Sequence, residues 1–171
     1  MDTLKSQIRS IPDFPKSGIL FYDITTLLRD AAGFRATLDA LALPYRDQGI
    51  SLVVGIESRG FILGGAIADR LGAGFCPVRK PGKLPARTIS ESFQLEYGTD
   101  RLEIHEDGVE PGQRVLIVDD VLATGGTAAA AARLVRRLGG DLHGLAFLIE
   151  LLALDGRSRL PGERVNSLLK Y

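Results

Sequence analysis

The run Val115-Leu116-Ile117-Val118-Asp119-Asp120-Val121-Leu122-Ala123-Thr124-Gly125-Gly126-Thr127 joins a buried strand to two acids and then to a loop of small and hydroxyl residues that enters an Ala-rich helix. A loop after a parallel strand brings several unpaired backbone N–H groups and the positive end of the next helix to one point, where a phosphate can accept hydrogen bonds. Gly125 and Gly126 let the backbone come close, Thr124 and Thr127 add hydroxyl donors, and nothing bulky stands between Ala123 and Thr127. The loop has no lysine, so it lacks the Gly-Lys-Ser/Thr ending with which a nucleoside triphosphatase reaches β and γ phosphates, and no G-x-G-x-x-G stands in its place. Asp119 and Asp120 would repel a phosphate but accept hydrogen bonds from two vicinal hydroxyls. A ribose 5-phosphate satisfies both halves.

Gly55-Ile56-Glu57-Ser58-Arg59-Gly60 ends another strand, on the sheet edge where ligands of open α/β folds collect. Arg59 and the exposed N–H groups of that turn suit a second anion. Arg79, Lys80 and Lys83, punctuated by Pro81 and Gly82, supply point charges for a leaving diphosphate, or else a solvated charged run. Cleaving a bond at an anomeric carbon builds positive charge on the sugar, so a carboxylate near the incoming nitrogen is useful. Glu96, beside Tyr97, is the candidate, with a solvent-facing strand glutamate as the competing reading. Phe21 can stack on a purine while backbone groups of Leu20 and Tyr22 read its amino edge, with Leu151 as the opposite wall; Phe21 as plain core is the alternative. His105 and His143 lack partners at ligand spacing, and Cys76 in an apolar strand reads as inert packing.

Together with Asp119 to Thr127, the strings Glu57-Ser58-Arg59-Gly60-Phe61, Arg79-Lys80-Pro81-Gly82-Lys83-Leu84-Pro85 and Leu95-Glu96-Tyr97-Gly98 occur in the same order as in a known family. From about Ile11 to Tyr171 the chain resembles the type I phosphoribosyltransferases, and more narrowly their adenine branch. The resemblance implies transfer of ribose 5-phosphate from phosphoribosyl pyrophosphate to N9 of adenine, with Mg²⁺, giving AMP and pyrophosphate in a purine-salvage reaction; the single cysteine separately points to a reducing cytoplasm. It implies pyrophosphate at Ser58 and Arg59, with a cis peptide near Glu57–Ser58, and further pyrophosphate contacts from Arg79 and Lys83. One of these comes from the neighbouring subunit of a homodimer, and the sequence does not say which. It places Glu96 near the purine, and Mg²⁺ on phosphate and ribose oxygens with no dedicated protein ligand. The family's usual basic residue after the stacking phenylalanine is Tyr22 here, which leaves backbone readout intact. A xanthine or hypoxanthine transferase is the nearby alternative. A regulator that keeps the phosphate motif as a sensor is the more distant one, and Glu96 with the basic cluster favours an enzyme.

These residues need elements to hold them. The 171 residues, 45% hydrophobic and 25% charged, fit one α/β domain, with a central mostly parallel sheet flanked by helices. Lys plus Arg equals Asp plus Glu at 21 each, so no basic field invites nucleic acid, and a single cysteine excludes an internal disulfide. Leu145 to Leu154, interrupted by Glu150, is about half the length a membrane span needs. Strands are expected at Ile50 to Ile56, Ala73 to Arg79, Arg114 to Val118 and Leu142 to Leu151. Helices are expected from Ser58, as cap, to about Arg70 and closed by Gly72, from about Thr127 to Leu138, and around Phe34 to Leu43 before Pro44. Leu4, Ile8 and Ile11 describe a short amphipathic helix rather than a signal peptide. Within a hood of approximately residues 1–30, residues 12 to 30 read as irregular cover, and approximately residues 80–108 as a long β-hairpin or mobile flap.

Overall fold

A computed structural model describes residues 2–94 and 98–171. Along the chain lie α1 (Asp2–Ser6), β1 (Arg9–Pro12), β2 (Leu20–Asp23), α2 (Thr25–Arg29), α3 (Ala31–Ala42), β3 (Leu52–Ile56) and α4 (Arg59–Leu71). There follow β4 (Gly74–Val78), β5 (Thr88–Gln94), β6 (Thr99–His105), β7 (Arg114–Leu122), α5 (Gly126–Arg137), β8 (Asp141–Glu150) and β9 (Val165–Lys170). Val, Ile and Leu dominate β3, β7 and β8, as strands buried on both faces require. They form the middle of a five-stranded sheet in the order β4-β3-β7-β8-β9, every pair parallel.

Alternate residues of each strand feed opposite cores. Val54, Val115 and Ile117 join α5 and the β5-β6 hairpin on one face, whereas Val53, Leu116 and Val118 join α3 and α4 on the other. From β3 the chain turns outward through α4 to β4, and from β7 through α5 to β8 on the other side. The sheet therefore switches direction between β3 and β7, and that crevice beyond their carboxyl ends is where an α/β sheet binds ligands.

Several expectations need correcting. The hood is more regular than its composition suggests: β1 and β2 pair antiparallel, Arg9 opposite Asp23, and α2 follows at once. Four-residue strands stabilised by one partner and by the Arg9–Asp23 ion pair, at 2.6 Å, leave no periodicity to read. The amphipathic turn stops at Ser6, and Ile11 belongs to β1. α3 begins at Ala31, where Asp30 accepts the Gly33 N–H at 2.7 Å, and Pro44 sits inside a 3-10 turn, Leu43–Tyr45, at the position where its missing N–H costs nothing. Ser58 flanks α4 as expected but its hydroxyl makes no cap bond, while Gly72 closes the helix at φ 64°. β7 runs on to Leu122, so Asp119 and Asp120 lie within the strand rather than after it. β9 escaped the sequence reading altogether. Residues 80–108 contain the antiparallel β5-β6 hairpin, whose segment 95–97 is outside the described residues. Cys76 is buried, and that burial pushes its thiol up to about 11, consistent with inert packing. Among the described residues no helix is long and apolar enough to cross a membrane.

Candidate active site

At the crevice between β3 and β7 a cleft of about 380 Å³ is lined by Glu57, Ser58, Arg59, Lys80, Phe93, Asp119, Asp120 and Thr127. A small recess of about 70 Å³ adjoins it, formed by Ala123, Thr124, Gly125 and Gly126 and sharing Asp119 and Thr127 with the cleft. The structure thus brings the two loops together, as their places in the sheet require. Gly125 takes φ 79° ahead of α5, and neither it nor Ser58 offers a side-chain cap. Apart from the Phe61 N–H, which donates to the Ser58 carbonyl at 3.2 Å, the first-turn N–H groups of both helices lack a side-chain cap and suit other acceptors. α4 starts so near β7 that a Cβ on Gly60 would stand 2.7 Å from Asp119 Oδ1, which explains a glycine there. The Glu57–Ser58 peptide is cis, as the resemblance implied.

Asp119 accepts the Asp120 N–H at 2.9 Å. Burial, and then the neighbouring Asp120 carboxylate, push Asp119 well above the usual carboxylate range. Asp120 is 6% exposed and pairs with Arg59, whose Nε lies 2.5 Å from Oδ2. That contact does not meet hydrogen-bond geometry, so the buried Oδ2 is without a hydrogen-bond partner, in a residue that lines the cleft.

Arg79 and Lys83 do not line the cleft themselves; both reach Glu57, at 3.0 and 2.6 Å, and the Lys80 N–H donates to it at 2.9 Å. Burial would raise Glu57, but these three hydrogen bonds prevail and hold it below its ordinary value. Lys80, which does face the cleft, is paired with Asp100. Glu57 thus anchors the basic cluster, a role that sequence spacing does not reveal. Phe93 is a second unanticipated member: a Cβ on Gly126 would lie 3.1 Å from its ring, so the root of the hairpin rests on the start of α5.

In the hood, the Arg59 guanidinium lies over the Phe21 ring, 5.4 Å from its centroid, and Phe14 meets that ring edge-on at 5.1 Å. Phe21 is therefore beside the cleft rather than in the core. Leu20 is exposed. The Tyr22 ring packs on the Tyr171 ring, with centroids 4.0 Å apart and planes tilted by 41°. Leu151 is half-buried at the end of β8, its N–H donating to the Leu122 carbonyl at 3.0 Å. Neither Leu20 nor Leu151 lines the cleft as it stands. Glu96 lies outside the described residues.

Among the described residues no group of three or more His, Cys, Asp or Glu could hold a metal ion. The donors at the cleft are nonetheless carboxylate oxygens, one of them buried and without a hydrogen bond. Such a set fits a hard cation like Mg²⁺ that brings most of its ligands with a phosphate substrate.

An acid pair near a strand end, a glycine-lined recess and a second strand-to-helix turn meet in one crevice, and the chain matches the phosphoribosyl transferase domain family over residues 26–161. It is 62% identical to the adenine phosphoribosyltransferase of Acidobacterium capsulatum over 170 residues, 99% of this chain and 94% of that protein. Its fold superposes on the crystal structure of adenine phosphoribosyltransferase from Thermoanaerobacter pseudethanolicus with a TM-score of 0.97, at 54% identity, covering 99% of each chain. The Saccharomyces cerevisiae adenine phosphoribosyltransferase, solved with an imino-altritol bisphosphate and adenine, gives 0.94 at 42% identity over 98% of this chain and 97% of that one. This chain belongs to the adenine phosphoribosyltransferase family.

Proposed function

We infer that the chain transfers the 5-phosphoribosyl group from phosphoribosyl pyrophosphate to N9 of adenine, forming AMP and pyrophosphate in purine salvage. The observation that carries this is the meeting, in one crevice, of the Asp119–Asp120 pair, the Ala123–Thr127 cradle and Arg59, in a chain that matches adenine phosphoribosyltransferases along its whole length.

In this reading Asp119 and Asp120 accept the ribose hydroxyls, and the N–H groups of Ala123 to Thr127 hold the 5-phosphate at the start of α5. Ser58 and Arg59 bind the pyrophosphate, joined by Arg79 and Lys83 once these exchange Glu57 for the more highly charged anion. Fixing both ends of the donor sets the anomeric carbon between leaving group and base. The bond from that carbon to the pyrophosphate oxygen breaks, its electrons leaving with pyrophosphate, while N9 forms the new bond and sheds its proton. The Asp120 carboxylate stabilises the cationic sugar, and Glu96 assists at the purine. Phe21 stacks on the base, backbone groups of Leu20 and Tyr22 read its amino edge, and Leu151 closes the other side. Mg²⁺, if it arrives with the donor, would be held mainly by phosphate and ribose oxygens beside the Asp119–Asp120 pair and would supply neutralisation of diphosphate charge. One domain with a hood near residues 1–30 and a flap near 80–108, a cytoplasmic location and a homodimer sharing the Arg79 or Lys83 contact complete the proposal.

The test is AMP formation from phosphoribosyl pyrophosphate with adenine, hypoxanthine or xanthine, with and without Mg²⁺. Turnover with adenine alone is expected; turnover with a 6-oxopurine alone would overturn the base assignment.

A further inference from the structure

Behind the phosphate cradle the chain makes a close backbone contact that the reaction above does not use. A Cβ on Gly125 would run into the Gly156 carbonyl, and a Cβ on Gly156 would run into the Ala123 carbonyl and come within 2.9 Å of Leu122 Cδ1. The turn at Gly156 is thus a floor against which Ala123–Gly125 rest, with no side chain between them.

That floor is tied down by its next residue. Arg157 donates to Glu150 through Nε at 2.6 Å and Nη2 at 2.8 Å, and reaches the Val165 carbonyl at 3.1 Å and Ser167 Oγ at 3.3 Å. Glu150 ends β8, is 3% exposed, and stands opposite Leu122, the residue from which the cradle departs. A closed circuit results, running from Leu122 through the cradle to Gly156, then through Arg157 and Glu150 back to Leu122. The hydrogen bonds from Arg157 prevail over burial and hold Glu150 below its ordinary value, so the pair is ionised at neutral pH.

Glu150 is buried but the Arg157 side chain is 42% exposed, and an ion pair with one partner in solvent adds little net stability. What a two-pronged guanidinium–carboxylate contact adds is a fixed orientation. An anion cradle made of backbone N–H groups depends on such fixing, because small errors in the aim of its donors weaken every bond to the phosphate together.

We propose that Glu150 and Arg157 are positioning residues for phosphoribosyl binding: by holding the Gly156 turn against Ala123–Gly125 they set the aim of the cradle. The proposal rests on the assignment of that loop to the 5-phosphate.

The experiment compares wild type with Arg157→Lys, which keeps the charge and loses the fork, and with Glu150→Gln/Arg157→Gln, which leaves no unpaired buried charge should the single variant fail to fold. Titration calorimetry with ribose 5-phosphate, KM for each substrate and amide exchange at Ala123–Thr127 are measured on variants whose circular dichroism is native. Ribose 5-phosphate affinity is expected to fall about tenfold. KM for phosphoribosyl pyrophosphate should rise in parallel, KM for adenine should stay within about twofold, and exchange should quicken at the cradle but not in β3. Unchanged affinity and exchange would overturn the proposal, as would an equal loss toward both substrates. Wild-type protein that does not bind ribose 5-phosphate would instead remove the loop assignment itself.

Discussion

Arg59 and Asp120, assigned to opposite parts of one substrate, pair with each other across the cleft at 2.5 Å. Glu57 does the same for Arg79 and Lys83. The charges that would receive a diphosphate and a ribose are thereby neutralised locally, which limits the cost of holding carboxylates as buried as Asp120. On the proposed assignment, donor binding would exchange these ion pairs for contacts to the substrate.

Arg59→Gln should therefore have two effects. Pyrophosphate affinity falls about tenfold while ribose 5-phosphate affinity changes little, and the fold loses roughly 1–3 kcal/mol because Asp120 is left buried without its cation. Calorimetry with the two anions and thermal denaturation check this; unchanged pyrophosphate affinity would remove Arg59 from the site.

Asp119 carries a pH signature of the opposite sign to the paired acids. Its pKa in the fold is raised above 3.8, so the folded chain holds that proton more tightly than the unfolded one. The contribution is complete below about pH 4 and is lost as pH rises through the folded value. Asp119→Asn cannot ionise and should escape the loss, melting higher than wild type at pH 8 with the difference closing toward pH 4. It should also bind ribose 5-phosphate more weakly. A variant less stable than wild type at pH 8 would contradict the assignment.

Phe21→Ala should raise KM for adenine by about five- to 150-fold, since stacking a base on an aromatic ring is worth about 1–3 kcal/mol. KM for phosphoribosyl pyrophosphate should move little. Equal changes in both would show that the ring serves the fold of the hood instead.

Glu96→Gln should lower kcat about a hundredfold with KM values near wild type if its carboxylate acts in the transition state. Steady-state kinetics with adenine decide this, and an undiminished kcat would exonerate the residue.

The cradle was legible because its chemistry is contiguous: Asp119 to Thr127 needs only a strand before it and a helix after it, and β7 and α5 supply them. The central strands and their helices were likewise readable from apolar runs ended by Gly and charged residues. β9 was not, because its partly buried residues, Val165 to Leu168, carry no clear alternation and it exists as a strand through its pairing with β8. The hood strands were hidden for the same reason.

Local composition, through backbone freedom and side-chain donors, is enough to propose a phosphate and a diol site where β7 ends. Which charges face one another is another matter. Arg59 with Asp120, Glu57 with Arg79 and Lys83, and Gly125 against Gly156 are encounters between segments distant along the chain, created when β3, β7 and β8 lie side by side in a parallel sheet. Electrostatic pairing and backbone contact depend on separation in space, which the order of residues leaves open until the sheet assembles.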